Sequence, residues 1–354
     1  MNLNGTRNGW TRTFTGAEVT WAGAHPFSQG LCFGFDDGSL IFTDENAESD
    51  KLPQSISESG EPVNGLAAHG KTSLAVSTRA DVTFVEVDAR GETTRSVYRG
   101  GAHGVATTSS GYFISPLGIN GLLVVKPDAV AKQRMSLWES NKEKLYLYRV
   151  VPLRDGKGNE ALIFATRKEG VGICPFEGYD TLQNIHTIAS LGVDIVDICE
   201  VALGSFAVAA ISIDGILMVF NDALRDFRPV TIKLGGIEGT VYRVLSSRGH
   251  LFVLTSKALY VWHGLIGGLM DDRPISENVP PVVMPMEAID LNIYRDSLLL
   301  IVMAANEVQG IGIESIGKST SKPFTNPERF VQTTLKLDWL EHDFKQCPSL
   351  ASVA

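Results

Sequence analysis

Short strand-forming runs joined by tight turns recur along this chain, and this recurrence limits the fold more than any other feature of the sequence. One such unit extends from Val193 to Asp222. Two runs rich in β-branched residues are separated at Leu203-Gly204, and a third run follows the Asp214-Gly215 turn. Runs of this kind, bounded by such turn residues, are typical of antiparallel hairpins. The arrangement returns roughly every 42 to 50 residues, a period typical of β-propellers.

Seven hairpin turns mark seven units. The turns lie at Asp36–Gly38, Arg79–Asp81, Gly118–Gly121, Lys168–Gly170, Asp214-Gly215, Ser256-Lys257 and Ala305–Glu307. Another strand-like run precedes each hairpin, and before most of these lies one weaker run, for example Arg95–Tyr98, Val230–Leu234 and Val282–Met286. Four strands per unit are typical of a propeller blade. We therefore predict an all-β fold, a β-propeller of seven four-stranded blades over residues 1–316, followed by a linker and strand or helix tail over residues 317–354.

Aromatic and polar residues end several of the strands that follow the hairpin turns, at Trp262-His263, Phe220-Asn221 and Phe42–Asp44. A Gly-His-like element appears at Gly101–Gly104, and no Trp-Asp dipeptide occurs. In period and strand pattern the chain resembles the WD-repeat β-propeller family, roughly from Val19 to Ser315. The family places an aromatic residue and an acid at the end of its third strand. The resemblance implies a ring of blades with two broad faces rich in loops.

A propeller ring closes when its first and last blades are joined. The closing strand is either Trp10–Thr15 or Phe330–Leu337, and the sequence does not decide between them. We expect the amino-terminal segment to be the inner strand of the first blade. The carboxy-terminal segment is then expected to pack on the outside or to dock elsewhere.

Charge and hydropathy argue against several classes of partner. The chain has a formal net charge of −9 and a pI near 5.3, and its basic residues are scattered singly. We therefore expect no direct binding to nucleic acid or to an anionic membrane surface. Met1–Trp10 lacks the apolar core of a signal peptide, and no apolar run is long enough for a membrane helix.

The four cysteines are far apart in the sequence. Cys32, Cys174 and Cys199 fall in predicted strands, and Cys347 lies in the tail. Dispersed thiols of this kind are typical of buried free cysteines in a reducing compartment. We therefore place the protein in the cytoplasm.

Candidate catalytic and metal-binding residues are few. His25 and His69 occur at matching offsets in adjacent units, but no third donor matches them, so we interpret them as turn histidines rather than metal ligands. The acids of the hairpin turns match the needs of tight turns, and no calcium-loop motif is present. No nucleophile, zinc or phosphate-loop motif occurs. We predict a non-enzymatic protein without a cofactor.

Two segments are candidates for partner binding. The first lies in the irregular connection Gly264–Pro281, whose apolar residues either fold back over the propeller or form an exposed contact patch. The second lies in the tail, which docks either on its own propeller or on a partner. The candidate residues are Leu265, Ile266, Leu269, Met270, Asp271, Asp272, Arg273, Trp339, Leu340 and Phe344.

We therefore expect an interaction scaffold, or a subunit of a multiprotein assembly, that binds proteins through its propeller loops and its tail. The alternative is a propeller hydrolase or lyase, or a sensor of a small anionic ligand, with a site in the central channel. That alternative needs titratable side chains on the innermost strands. The candidates for this position are Arg12, Arg95, Arg134, His186 and Lys233.

Overall fold

The computed structural model of the protein describes residues 9–43, 54–57, 59–87, 90, 92–126, 134–138, 146–167, 170–178, 186–189, 194–201, 205–225, 228–270 and 280–316. These residues form seven antiparallel sheets of four strands each, which are the blades of a propeller. The predicted all-β fold with seven four-stranded blades is therefore confirmed.

The strands follow one another through the blades in chain order. Blade 1 contains β2 (Val19–Ala24), β3 (Leu31–Phe35), β4 (Ser39–Phe42) and β5 (Gln54–Ser55). Blade 2 contains β6 (Val63–His69), β7 (Ser73–Thr78), β8 (Asp81–Val87) and β9 (Thr93–Arg99). Blade 3 contains β10 (Ala106–Thr107), β11 (Phe113–Pro116), β12 (Leu122–Lys126) and β13 (Arg134–Trp138). Blade 4 contains β14 (Leu147–Arg154), β15 (Glu160–Thr166), β16 (Gly170–Pro175) and β17 (His186–Ala189).

The remaining blades repeat this order. Blade 5 contains β18 (Ile195–Glu200), β19 (Val208–Ser212), β20 (Ile216–Phe220) and β21 (Val230–Lys233). Blade 6 contains β22 (Val241–Ser247), β23 (His250–Thr255), β24 (Ala258–Trp262) and β25 (Val282–Pro285), with the short helix α1 (Leu265–Met270) between β24 and β25. Blade 7 contains β26 (Ala288–Tyr294), β27 (Leu298–Met303), β28 (Glu307–Gly312) and β1 (Trp10–Thr13).

The core lies between neighbouring blades. Every residue of β3, β7 and β19 is buried, because each of these second strands is covered on both faces. One hydrophobic cluster joins β19 and β20 of blade 5 to β23 and β24 of blade 6. In the sequence, strands that are covered on both faces appear as continuous apolar runs rather than as alternating apolar and polar residues. This explains the apolar runs of this chain.

The direction of the strands defines two faces. All inner strands, such as β14 and β18, begin at the same face, which we call the entry face. It also carries the turns between second and third strands, for example Asp214-Gly215, where Gly215 has a φ of 74°. The opposite, exit face carries the connections from first to second and from third to fourth strands.

The weak strands belong to different blades than the sequence units indicate. The runs Arg95–Tyr98, Val230–Leu234 and Val282–Met286 were predicted to begin a unit, but β9, β21 and β25 pair with the third strand of the preceding blade. They are therefore its outermost strands. The hairpin turns accordingly join second to third strands, not third to fourth.

The amino-terminal segment closes the ring from the outside. Strand β1 pairs antiparallel with β28, with Trp10 opposite Gly310, and is the outermost strand of blade 7. The expectation that it is the inner strand of blade 1 is wrong. The indole of Trp10 covers Gly310, where a Cβ atom would lie only 2.3 Å from the ring. The alternative closing segment, Phe330–Leu337, lies outside the described residues.

The three described cysteines are free and buried, as predicted. Burial raises the pKa of the Cys32 and Cys199 thiols, and it raises that of Cys174 to about 12. Cys347 lies outside the described residues. In the part of the chain that the structure describes, no helix is long and apolar enough to cross a membrane.

Candidate functional site

Four inner strands carry a chain of alternating charges across blades 4 to 7. Arg149 on β14 contacts Asp197 on β18, with 3.1 Å from Nε to Oδ1. Arg243 on β22 lies 3.6 Å from Asp197 Oδ2, and its Nε lies 2.9 Å from Oδ1 of Asp290 on β26. All four residues follow a register shift in their strand, which turns equivalent side chains toward the same side. We call these residues the inner charge chain.

Backbone hydrogen bonds fix the inner charge chain in place. The Val244 N–H group donates to Asp197 Oδ2 at 3.0 Å, and Arg243 donates to the Leu291 carbonyl at 3.2 Å. The contacts of Asp197 Oδ1 with Arg149 and of Arg243 Nε with Asp290 are short but lie off the hydrogen-bond direction, so they act as ion pairs. Each of these contacts joins two neighbouring blades.

Burial and ion pairing compete in the inner charge chain: burial acts to lower the pKa of Arg243, but the charges of Asp290 and Asp197 outweigh it and raise that pKa. The Asp197 side chain is 2% exposed and that of Arg149 is 27% exposed. Burial raises the pKa of Asp290, although Arg243 opposes the shift. Burial, together with Arg243, lowers the pKa of Arg149. Two cations and two carboxylates neutralise one another here, an arrangement that joins blades 4 to 7 rather than preparing a proton transfer.

Uncharged polar side chains continue this cross-blade bonding around the ring. Asn64 on β6 donates to the Ala102 carbonyl at 2.8 Å, and Asn292 on β26 donates to the Ala22 carbonyl at 2.9 Å. Thr20 on β2 donates to the Val63 carbonyl at 2.8 Å. The inner strands thus use their polar side chains mainly to bind the next blade.

Large apolar side chains are exposed at the entry face. Tyr242 and Ile289 are the second residues of inner strands β22 and β26, and they are 41% and 45% exposed. Ile119 and Ile213, in the turns of blades 3 and 5, are 45% and 46% exposed. We call these four residues the apolar rim. The other large apolar residues found exposed in the described part of the chain are on outermost strands.

An aromatic group adjoins the apolar rim at blades 3 and 4. His103 Nε2 lies 3.1 Å from the Tyr146 hydroxyl, and the rings of Tyr146 and Tyr148 are 5.0 Å apart. Burial and the nearby charge of Arg79 lower the pKa of His103. A neutral imidazole beside two phenol rings gives this part of the entry face a weakly polar, aromatic surface.

The exit face carries a polar cavity of about 790 Å³ between blades 4 and 5. Its lining includes Asp155, Glu160, Phe206 and Arg225. The Glu160 carboxylate accepts hydrogen bonds from Ser109 and Ser110, and these bonds link blades 3 and 4. Burial acts to raise the pKa of Glu160, but the hydrogen bonds outweigh it and lower the pKa. The carboxylate is therefore engaged in joining blades.

The first predicted partner-binding segment folds back on its own blade. Leu265, Ile266 and Leu269 of α1 are buried in the cluster that contains Trp262 and Leu251. Of the two alternatives for this connection, folding back is therefore found and the exposed contact patch is excluded for these three side chains, because their apolar surface lies in the core. The residues Asp271, Asp272, Arg273, Trp339, Leu340 and Phe344 lie outside the described residues, as does the environment of the Met270 side chain.

The predicted channel residues lie at the periphery of the propeller. Their strands are β1, β9, β13, β17 and β21, each of them the outermost strand of its blade. The prediction that Arg12, Arg95, Arg134, His186 and Lys233 lie on innermost strands is wrong, because it took the weak strands for the first strands of their units.

The turn interpretation of His25 agrees with the structure. His25 Nδ1 accepts hydrogen bonds from the N–H groups of Phe27 and Ser28, at 3.0 and 3.1 Å. His25 lies in the connection between β2 and β3 and His69 is the last residue of β6, so both lie at the exit face. Within the described residues, no group of three or more histidine, cysteine or acidic side chains is arranged to hold a metal ion.

Comparison with known proteins shows the fold. No protein-family model and no curated protein sequence matches the chain. Among solved structures, the β-propeller domain of Cps50 (Swd1) from Myceliophteria thermophila matches with a TM-score of 0.58 at 14% sequence identity, covering 86% of this chain and 98% of that one. The resemblance to WD-repeat-like propellers is therefore confirmed as a resemblance of fold.

Proposed function

We propose that this protein is a non-catalytic interaction scaffold, or a subunit of a multiprotein assembly, whose main partner surface is the entry face. The observation that carries the proposal is the apolar rim, since four of the six large apolar side chains found exposed in the described part of the chain lie on this one face. The structural similarity to the propeller domain of Cps50 (Swd1) is compatible with this proposal. The fold alone supports this proposal only by analogy, because one fold serves many functions.

The inner charge chain supports the same proposal. A channel enzyme needs acids, bases or nucleophiles that are free to meet a substrate. Here Arg149, Asp197, Arg243 and Asp290 pair with one another across the blades. The alternative is a propeller hydrolase or lyase, or an anionic-ligand sensor. It is weakened because the basic residues on which it depended lie on outermost strands.

We further propose that residues 317–354 form a second contact beyond the propeller, through Trp339, Leu340 and Phe344. The loop residues Asp271, Asp272 and Arg273 remain candidates beside them. The protein is expected to act in the cytoplasm, with other proteins as its partners and without direct contact to nucleic acid.

Affinity purification from the protein's own cells tests these proposals. Three tagged forms are compared: the full chain, a chain ending at Gly317, and the full chain with Tyr242→Asp. Stoichiometric partners on the full chain, lost with Tyr242→Asp, are the expected result. Partners that are lost only on truncation would show that the main contact lies in the tail. If every form is purified alone, the scaffold proposal fails, and metal analysis with a metabolite screen would test the channel alternative.

A further inference from the structure

The outermost strand of blade 2 is longer than that of any other blade. Strand β9 contains seven residues, whereas β1, β17, β21 and β25 contain four each, β13 contains five and β5 contains two. All seven residues of β9 pair with β8 without a register shift. No described strand pairs with β9 on its other side. Strand β9 is therefore a long, regular edge of the blade 2 sheet.

Alternate residues of β9 direct their backbone groups away from the sheet. Just after the strand, the Gly100 N–H group donates to the Ala80 carbonyl at 2.8 Å. Because backbone groups alternate in direction along an antiparallel strand, the even-numbered residues of β9 bond to β8 and the odd-numbered ones face outward. Among the described residues, none accepts a hydrogen bond from the outward N–H groups of Thr93, Arg95 and Val97. These groups are placed to bond to an added strand.

Prolines block the corresponding positions of blade 6. The Met286 N–H group donates to the Lys257 carbonyl at 3.1 Å, so Pro281, Val283 and Pro285 take the outward positions of β25. Proline has no N–H group, so only Val283 can donate to an added strand there. Proteins protect their sheet edges with prolines, short strands or charged side chains. Strand β9 is long and contains no proline, which leaves the charges of Arg95 and Arg99.

These two arginines limit what can pair with β9. Arg95 and Arg99 lie on the same face of the sheet, because side chains alternate along a strand. In an antiparallel pair of two β9 strands, a register centred on Arg95 or on Val97 places arginines directly opposite each other. The register centred on Ser96 places them diagonally. Like charges at such positions are destabilising, so a second copy of this chain fits the edge poorly.

A carboxylate on the added strand would complement Arg95. The Arg95 side chain is exposed, lies opposite buried Val85 on β8 and has no ion-pair partner among the described residues. Glu86 lies opposite Thr94, on the other face of the sheet. The predicted tail strand Phe330–Leu337 contains a lysine and no carboxylate, so it does not supply this charge.

We propose that β9 binds an extended segment of a partner protein as a fifth strand of blade 2, with a carboxylate opposite Arg95. This contact lies at the outer edge of the propeller and goes beyond the proposed contact at the entry face. An antiparallel segment would exchange about six hydrogen bonds with Thr93, Arg95 and Val97. In such an added strand the main-chain bonds give affinity, and the alternating side chains give specificity.

Peptide selection against an edge variant tests the added strand. Val97→Pro removes one outward N–H group without removing a hydrogen bond to β8. A phage library of random 12-residue peptides is first depleted on the immobilised Val97→Pro variant and then selected on the full chain. Enriched peptides are expected to combine β-branched or aromatic residues with aspartate or glutamate. Enrichment of basic peptides, or no enrichment, would overturn the inference.

Matched variants then locate the bound peptide, with binding measured by fluorescence anisotropy of the labelled peptide. Val97→Pro is expected to weaken binding about ten-fold, and Arg95→Glu, which leaves the backbone unchanged, about five-fold. Their controls are Thr231→Pro and Lys233→Glu, because Thr231 and Lys233 take outward positions on β21 by the same alternation. Each control is expected to change binding less than about two-fold. Equal losses within either pair would overturn the assigned site, and the melting temperature of each variant shows whether it folds.

Amide exchange and oligomeric state identify what occupies the edge. Bound peptide is expected to slow hydrogen–deuterium exchange over residues 93–99, and slowing only elsewhere would overturn strand addition. A full chain that is dimeric, and monomeric with Val97→Pro, would assign the edge to a second copy. A chain ending at Gly317 that binds the peptide about ten-fold more tightly than the full chain would assign it to the tail. Either result would overturn the partner assignment, whereas the entry-face proposal is tested separately by Tyr242→Asp.

Discussion

Removal of the Asp197 charge tests whether the inner charge chain holds blades 4, 5 and 6 together. Asp197 is 2% exposed, contacts Arg149 and Arg243, and accepts the Val244 N–H group. Breaking a buried ion pair by removing one partner costs about 3–5 kcal/mol. Arg149 is partly exposed and Arg243 keeps Asp290, so the lower end of that range applies.

We therefore expect Asp197→Ala to lower the free energy of unfolding by about 3 kcal/mol. Asp197→Asn is expected to cost about 1 kcal/mol less, because its side-chain oxygen still accepts the Val244 N–H group. Asp214→Asn is the control, since Asp214 is exposed in a tight turn that accepts asparagine, and we expect a change of less than about 0.5 kcal/mol.

Urea unfolding of the full chain, followed by tryptophan fluorescence, measures these effects as shifts of the midpoint. A double-mutant cycle with Arg149→Met gives the coupling directly, and Asp197→Ala should cost less in that background by about 1 kcal/mol or more. The reasoning is refuted if Asp197→Asn unfolds at the same midpoint as Asp214→Asn, or if the two changes in the cycle are additive.

Three further predictions concern the blade contacts. In the folded protein the pKa of Glu160 lies below its usual value. Its carboxylate therefore stabilises the fold above about pH 4.3, and this contribution is lost as the pH falls through the lowered folded pKa. Glu160→Gln should therefore make the loss of thermal stability between about pH 5 and pH 3 less steep. The control is Glu287→Gln at an exposed site. A loss as steep in Glu160→Gln as in this control would contradict the role of the Glu160 hydrogen bonds. Trp10→Ala should lower the free energy of unfolding by about 3–5 kcal/mol, and unchanged urea unfolding would show that β1 does not close the ring. Leu269→Asp buries a carboxylate in the blade 6 core and should cost about 3 kcal/mol or more, and an unchanged melting temperature would contradict the packing of α1.

The sequence predicts the blades well because strands and tight turns leave strong local signals. Hairpins such as the one at Asp214-Gly215 form between residues that are neighbours in the chain, so turn chemistry and β-branched runs are sufficient to find them. The same signals do not tell where one blade ends. The weak strand Val230–Lys233 is close in sequence both to the third strand before it and to the inner strand after it, and only the pairing with β20 decides between them.

The closing strand and the inner charge chain depend on contacts between distant residues. Trp10 and Gly310 are far apart in the sequence, and the residues around them do not indicate that the two segments pair. The inner charge chain did leave a signal, since Arg149, Asp197 and Arg243 recur 46 to 48 residues apart, each two residues after the first apolar residue of its strand. Alignment of the inner strands, rather than of the hairpin turns, reveals that signal. Tyr242 and Ile289 of the apolar rim leave no signal in the sequence, because apolar residues of strands are expected to be buried.

The location of the bound partner is the central claim, and hydrogen–deuterium exchange of the purified assembly tests it most directly. Exchange is compared between the free protein and the assembly with its co-purified partner. The account predicts slower exchange on binding at the entry-face segments 212–216, 236–242 and 286–290, with little change at the exit-face segments 155–159 and 295–297. Slower exchange at the exit-face segments, with the entry-face segments unchanged, would contradict it.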